Sequence, residues 1–238
     1  MVKNSPDRCA ICKSRSTGFV CGLSARARKR LEQDKTTHVF QRGQLIFYAG
    51  AQAHALYVVR SGRVKVFHTW RGGEEQVLRL LGPGELLGYR PLLANEPYVA
   101  GAEAVEDSTL CMIPAATVRE LLRDEPEVAL ELLAKLAREL RLSEDLMMDL
   151  LHRPVRQRAA HLLLRLLEDN RRADEPAILH SHHLLRQDMA RMIGTTPETL
   201  SRVLREFAQR GIVSLARDHI RIREHAMLRK VAGEPHLK

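Results

Sequence analysis

Pro114 divides this chain of 238 residues into two kinds of hydrophobic pattern. Before it, apolar residues come in short runs broken by glycine: HVFQRGQLIFYAG, ALYVVRSGRVKVFH, EEQVLRLLGPGELLGY and AEAVEDSTLCMIP. Leu56–His68 alternates, as a strand with one buried face does. Ser61-Gly62 and Gly72-Gly73 are expected at hairpin turns. Many short antiparallel strands at regular spacing predict a barrel or jelly roll over residues 38–113. Beyond Pro114 the apolar residues recur every three or four positions, which is a helical period. An α+β fold follows, with an N-terminal antiparallel β-roll and helices after it.

The helical part has its own punctuation. AATVRELLRDEP predicts a short helix stopped near Pro126, and a long helix follows from Glu127. Leu133, Leu136, Leu140, Ser143, Met147 and Leu150 lie at spacings of 3, 4, 3, 4 and 3 along it. That is an a/d seam between charged flanks, the pattern of a dimerisation helix. Ser143 puts a polar group in the seam and keeps the pairing below maximal strength. Pro154 marks a boundary, and VRQRAAHLLLRLLEDN is an amphipathic helix. A short helix (Arg186–Ile193), a turn at Gly194-Thr195 and a second helix (Pro197–Arg210) come next, then a hairpin with Asp218-His219 at its tip. Two short helices joined by a glycine turn, with a hairpin behind them, form a winged helix-turn-helix. The domain reading is a cysteine-bearing tail over 1–30, the roll over 31–114, linker and dimerisation helix over 115–153, and the DNA-binding domain over 154–238.

Charge agrees with that reading. From His152 onward 17 Lys and Arg face 10 Asp and Glu, whereas the residues before it carry 21 against 19. Positive charge concentrated in the last third points to a polyanion partner, double-stranded DNA. Thr196 can cap the second helix and Pro197 suits its first position. Glu198, Ser201 and Arg202 then share one face at the N-terminal end, where a recognition helix meets base edges. Arg reads guanine, Glu accepts from cytosine N4, and Ser adapts to either partner. Gln187 on the first helix and Arg205 and Arg217 on the second helix and wing complete the candidate interface, with Arg210, Arg221 and Arg223 suited to phosphates.

The chain has four cysteines: Cys9, Cys12 and Cys21 near the start, and Cys111 far downstream. A ligand set split this way is completed only by folding. The N-terminal stretch has no apolar h-region and no run long enough to span a membrane, so a reduced cytoplasmic setting is expected, where thiols favour metal over disulfide. Zinc sites usually carry C-x2-C twice, and here the second pair is absent. No nucleophile–base set suggests an enzyme.

Along nearly its full length the chain resembles the Crp/Fnr transcription regulators, with a glycine-punctuated, cyclic-nucleotide-binding-like roll, a long dimer helix and a helix-turn-helix in that order. ETLSR (Glu198–Arg202) is similar to the Fnr-type E-x-x-S-R motif, and implies a TTGAT half-site repeated as an inverted palindrome. The Crp-type nucleotide cassette would place Arg-Ser after Gly-Glu-Leu. GELLGYRPLLANEPYVAGA has no such pair, so no cyclic nucleotide is expected. Three N-terminal cysteines plus one in STLCMIPAATV resemble the Fnr ligand set and imply a [4Fe–4S] cluster on Cys9, Cys12, Cys21 and Cys111. The spacing departs from that pattern: eight residues separate Cys12 from Cys21, against five. The resemblance thus implies a homodimeric, oxygen-responsive regulator working with RNA polymerase. A structural zinc site without redox sensing, and an electron-transfer Fe–S protein, are the competing readings.

Overall fold

The computed structural model describes residues 23–170, 178–180, 185–217 and 219–233. Helix α1 (Ala25–Asp34) opens it. This helix lies partly inside the stretch read as a tail, where basic composition masks a narrow apolar ridge: Leu23, Ala27 and Leu31 are buried and the rest is polar. Ser24 caps it, accepting from the Ala27 N–H.

The strands that follow are β1 (Thr36–Phe40), β2 (Leu45–Phe47), β3 (Ala55–Ser61), β4 (Val64–Thr69), β5 (Glu75–Leu81) and β6 (Leu86–Leu87). A short helix α2 (Tyr89–Ala94) precedes β7 (Gly101–Ala104) and β8 (Ser108–Pro114). They form two antiparallel sheets in the orders β1-β8-β3-β6 and β2-β7-β4-β5, the roll expected from the alternation. Gly72-Gly73 does join a hairpin, since β4 pairs with β5. Ser61-Gly62 does not. β3 pairs with β8 and β6, and β4 with β5 and β7, so this turn carries the chain from one sheet to the other. Glycine is required there for space: Gly62 has φ +84°, and a Cβ would come 2.2 Å from Ser108 Oγ. Sequence marks a turn, but which strands pair across it is a long-range outcome.

Strand alternation splits the roll into two cores. On β3 and β8, Ala55, Tyr57, Val59 and Leu110 point between the sheets, where Phe47, Val64, Val66 and Tyr98 meet them. The intervening Leu56, Val58, Cys111 and Ile113 point the other way, onto the helices. There they pack with Leu23, Ala27 and Leu31 of α1, and with Val118 and Leu121 of α3 (Ala115–Asp124) and Val128 and Leu132 of α4 (Pro126–His152).

The contacts divide the chain into two units, up to Leu140 and from Arg141 on, so the boundary falls within α4. The second unit contains α5 (Val155–Asn170), β9 (Ile178–His180), α6 (Arg186–Met192), α7 (Pro197–Gln209), β10 (Val213–Leu215), β11 (His219–Ile222) and α8 (His225–Ala232). β10 and β11 form the expected wing, and β9 adds a third strand on β11. Its core gathers Leu162, Leu163 and Leu166 of α5 with Met189, Leu200, Leu204, Phe207 and Leu228.

Candidate nucleic-acid interface and cysteine site

α6 and α7 meet at a tight turn closed by backbone bonds from the Gly194 N–H to Arg191 and from the Thr195 N–H to Ala190. Gly194 has φ +61°, and a Cβ there would lie 3.0 Å from Leu150 Cδ2. Arg158 of α5 supports the same turn, donating to the Ile193 carbonyl at 2.6 Å. Leu150, expected in the dimer seam, borders this turn and is 42% exposed. Leu185 begins α6 without a capping hydroxyl, but Asp188 reaches back to accept from its N–H at 3.2 Å. A carboxylate at the third helical position replaces the missing Ser or Thr.

α7 has the cap that its sequence announced. Thr196 Oγ accepts from the Thr199 N–H at 3.3 Å, and Pro197 occupies the first turn. Leu200, Val203, Leu204 and Phe207 are buried on one face. Glu198, Arg202 and Arg205 are exposed on the opposite face, and Ser201 is half-buried beside them. Its own backbone N–H at the helix start, and then the Thr196 hydroxyl, hold the Glu198 carboxyl below its usual range. Glu198 is therefore anionic at neutral pH, able only to accept, as a partner for cytosine N4 must be. Arg205 donates to the Ser201 carbonyl at 3.3 Å, which lays its guanidinium along the helix. Gln187 and Arg217 are exposed on α6 and just after β10. On the wing, Arg223 donates to Ser214 Oγ at 3.2 Å.

Sequence reasoning missed α8 and what it anchors. Arg153 bonds Asp149 at 2.6 Å and the Ala232 carbonyl at 2.5 Å, and His161 Nε2 lies 2.8 Å from that same carbonyl. These bonds tie the end of α4 to α5 and α8. Leu228 and Ala232 at i and i+4, with Gly233 behind them, were the available signal.

On α4, Leu130, Leu133, Leu140, Met147 and Leu151 are exposed along one stripe with Ala137 among them, and Leu142, Met148 and Leu150 are exposed beside it. Leu133, Leu140 and Met147 belong to the expected seam. Leu136 turns toward the roll core, and Ser143 is exposed at the edge of the stripe.

Cys111 sits mid-strand on β8, opposite Thr37 and Val58, and is 8% exposed. It faces the helices, in the same buried cluster as Leu23. Cys9, Cys12 and Cys21 lie outside the described residues, but Cys21 precedes Leu23 by two positions. Cys111 is the cysteine among the described residues, its thiol lies among aliphatic side chains, and no group of three or more His, Cys, Asp or Glu side chains there is placed to hold a metal ion.

Between the sheets Phe47, Tyr57 and Tyr98 stand among aliphatic side chains. Phe47 and Tyr98 stack with centroids 3.8 Å apart, and Tyr98 donates to the Ala55 carbonyl at 3.1 Å. In the cassette segment Arg90 is exposed. Tyr89 is buried and bonds to Glu139 of α4, which also accepts from Arg79 at 2.8 Å. Lys135 lies 3.0 Å from the same carboxylate. Burial alone would raise the Glu139 carboxyl, but hydrogen bonds from Arg79 and Tyr89 and the charges of Arg79 and Lys135 hold it at about 2. Burial, then Glu139, push the Tyr89 hydroxyl up to about 12. The cluster fastens β5, α2 and α4 together.

Two family models match the chain: a cyclic nucleotide-binding domain over residues 37–125 and a Crp-like helix-turn-helix domain over 157–231. The "Cyclic AMP receptor protein" of Thermus thermophilus is 42% identical over 207 residues, covering 84% of this chain and 92% of that protein. The "Transcriptional activator protein anr" of Pseudomonas aeruginosa is 28% identical over 193 residues, covering 81% and 79%. Among solved structures, FixK2 from Bradyrhizobium japonicum shares the fold at 24% identity with a TM-score of 0.73, over 83% of this chain and 96% of that one.

Proposed function

The chain belongs to the Crp/Fnr family of DNA-binding transcription regulators, which are not enzymes, and within that family we propose that it is an Fnr-like homodimer whose DNA binding follows the state of a [4Fe–4S] cluster on Cys9, Cys12, Cys21 and Cys111. One observation carries this reading: the chain enters the described fold two residues after Cys21, buried in the same core as Cys111. When bound, the cluster would supply an oxygen-labile cross-link between the tail and β8. The chain's own residues do the rest. α1 and α3 cover Cys111, and β8 runs directly through Pro114 into α3 and then α4. The exposed stripe on α4 is the surface on which two copies pair, with Leu133, Leu140 and Met147 in it. Pairing spaces two α7 helices on a palindrome. At each half-site Glu198, Ser201 and Arg202 read bases of a TTGAT type. Arg205, Gln187 and Arg217 hold the backbone, with Thr196 fixing the start of the reading helix. RNA polymerase is the proposed partner of the bound dimer. No helix among the described residues is long and apolar enough to cross a membrane, and a cytoplasmic site of action goes with the proposal.

A second reading is a nucleotide-responsive regulator, favoured by the similarity to a protein named for cyclic AMP. Against it stand the exposure of Arg90, the lack of an Arg-Ser pair and the Phe47–Tyr98 stack between the sheets. Anaerobic purification with iron, sulfide and zinc analysis, followed by titration of a TTGAT palindrome before and after air, decides between them. Iron and sulfide in equal amounts, with DNA affinity falling at least tenfold on air exposure, is expected. Zinc without sulfide, or affinity raised by cyclic AMP and indifferent to air, would overturn the proposal.

A further inference from the structure

α1 and α3 are joined along their whole length by three polar contacts in antiparallel register. Ser24 Oγ donates to Glu125 Oε1 at 2.5 Å, Arg30 pairs with Glu120, and Thr117 Oγ1 donates to Asp34 Oδ2 at 2.9 Å. Position rises along α1 as it falls along α3. The two helices therefore engage as a zipped pair rather than touching at one point.

The first contact has a special place. Ser24 caps α1 and stands three residues after Cys21. Glu125 closes α3, and its carbonyl accepts from the Val128 and Ala129 N–H groups that open α4. A single hydrogen bond thus links the residue where the cysteine segment becomes helix to the residue where the long helix begins. The apolar ridge of α1 already seats it on the roll. The Ser24–Glu125 bond lies at the surface, with Ser24 exposed and Glu125 half-buried. We infer that α1 is the lever between the cysteine site and the dimerisation helix, and that Ser24 and Glu125 are the positioning residues through which the tail sets the start of α4. The inference rests on the cluster reading above, and it names the regulation of that site.

Two measurements on the full-length chain test it. Wild type, Ser24→Ala and Glu125→Ala are reconstituted anaerobically, and iron, sulfide and the visible absorption band are recorded. Dimer dissociation constants are then measured by sedimentation with and without the cluster. Each variant is expected to hold a normal cluster, yet the ratio of the two constants should fall at least fivefold from its wild-type value. Ser24→Ala also removes the cap of α1, so Glu125→Ala, which removes the shared contact and leaves the cap, should lower the ratio as well. An unchanged ratio with an intact cluster overturns the inference. So does loss of the cluster in both variants, which would make the contact part of the cysteine site. The second measurement needs no cluster: in apo-protein, Ser24→Ala should speed hydrogen exchange severalfold at the Val128 and Ala129 amides. Unchanged exchange there overturns the lever. A wild-type chain that assembles no cluster sinks only the functional reading.

Discussion

Glu139 shows how much one side chain of α4 carries. It receives Arg79 and Tyr89 and lies against Lys135, while its side chain is only 15% exposed. Replacing it with Gln removes the charge but keeps the shape, leaving Arg79 buried beside a weaker acceptor. A loss of about 1–3 kcal/mol in chemical denaturation at pH 7 is expected. The pH dependence has a definite sign. The folded carboxyl sits near 2, below its ordinary 4.5. Its contribution is therefore present above pH 4.5 and fades as pH falls from there toward 2. The gap between wild type and Glu139→Gln should narrow over that interval. A gap of constant size would show that hydrogen-bond geometry, and not charge, accounts for the loss. Nothing local in ARELRL marks Glu139. Arg79 is 60 residues away and Tyr89 50, so only folding makes them neighbours.

At the scale of elements, α4 has to do two things with one sequence. Val128 and Leu132 bury one edge against the roll, and Leu130, Leu133, Leu140, Met147 and Leu151 leave another edge open. The 3-and-4 spacing was legible, but a heptad pattern cannot tell the two edges apart when leucines stand on both. Leu140→Glu should raise the dimer dissociation constant at least tenfold in sedimentation velocity, about 1.4 kcal/mol. Glu144 follows Leu140 by four positions and precedes Met147 by three, so it lies within the stripe. Glu144→Leu should tighten the dimer more than Ser143→Leu. The reverse order would return the seam to the edge read from sequence. α7 is the simpler case: its cap, first-turn proline, buried face and exposed polar face are all local, and all were legible.

For the whole molecule the decisive property is where the positive charge lies. The segment from His152 carries a net +7, being 17 cations less 10 anions. Binding to a palindrome should weaken steeply with salt, with log K falling by about 0.9 per phosphate neutralised in log salt. Arg217→Ala should weaken all sequences alike and reduce that slope by about 1. Arg202→Ala should instead cost about 1–3 kcal/mol on the cognate site and little on others. Fluorescence anisotropy over a salt series separates the two. Equal losses on cognate and random DNA for Arg202→Ala would remove it from the readers.

Sequence by itself determined the roll, the helix-turn-helix and the cap of its second helix, each resting on a period, a cap or a turn residue that acts within a few positions, and the class of regulator followed from resemblance to a known family. Tertiary structure alone decided that Ser61-Gly62 crosses between sheets, that Leu150 borders the Gly194 turn, and that Cys111 faces α1 and not the interior of the roll. Strand pairing sets all such outcomes, because moving β8 by one residue against β3 would turn Cys111 to the opposite face. That register is held by partners some fifty residues apart, such as Val58 opposite Cys111. No local pattern in the chain encodes it.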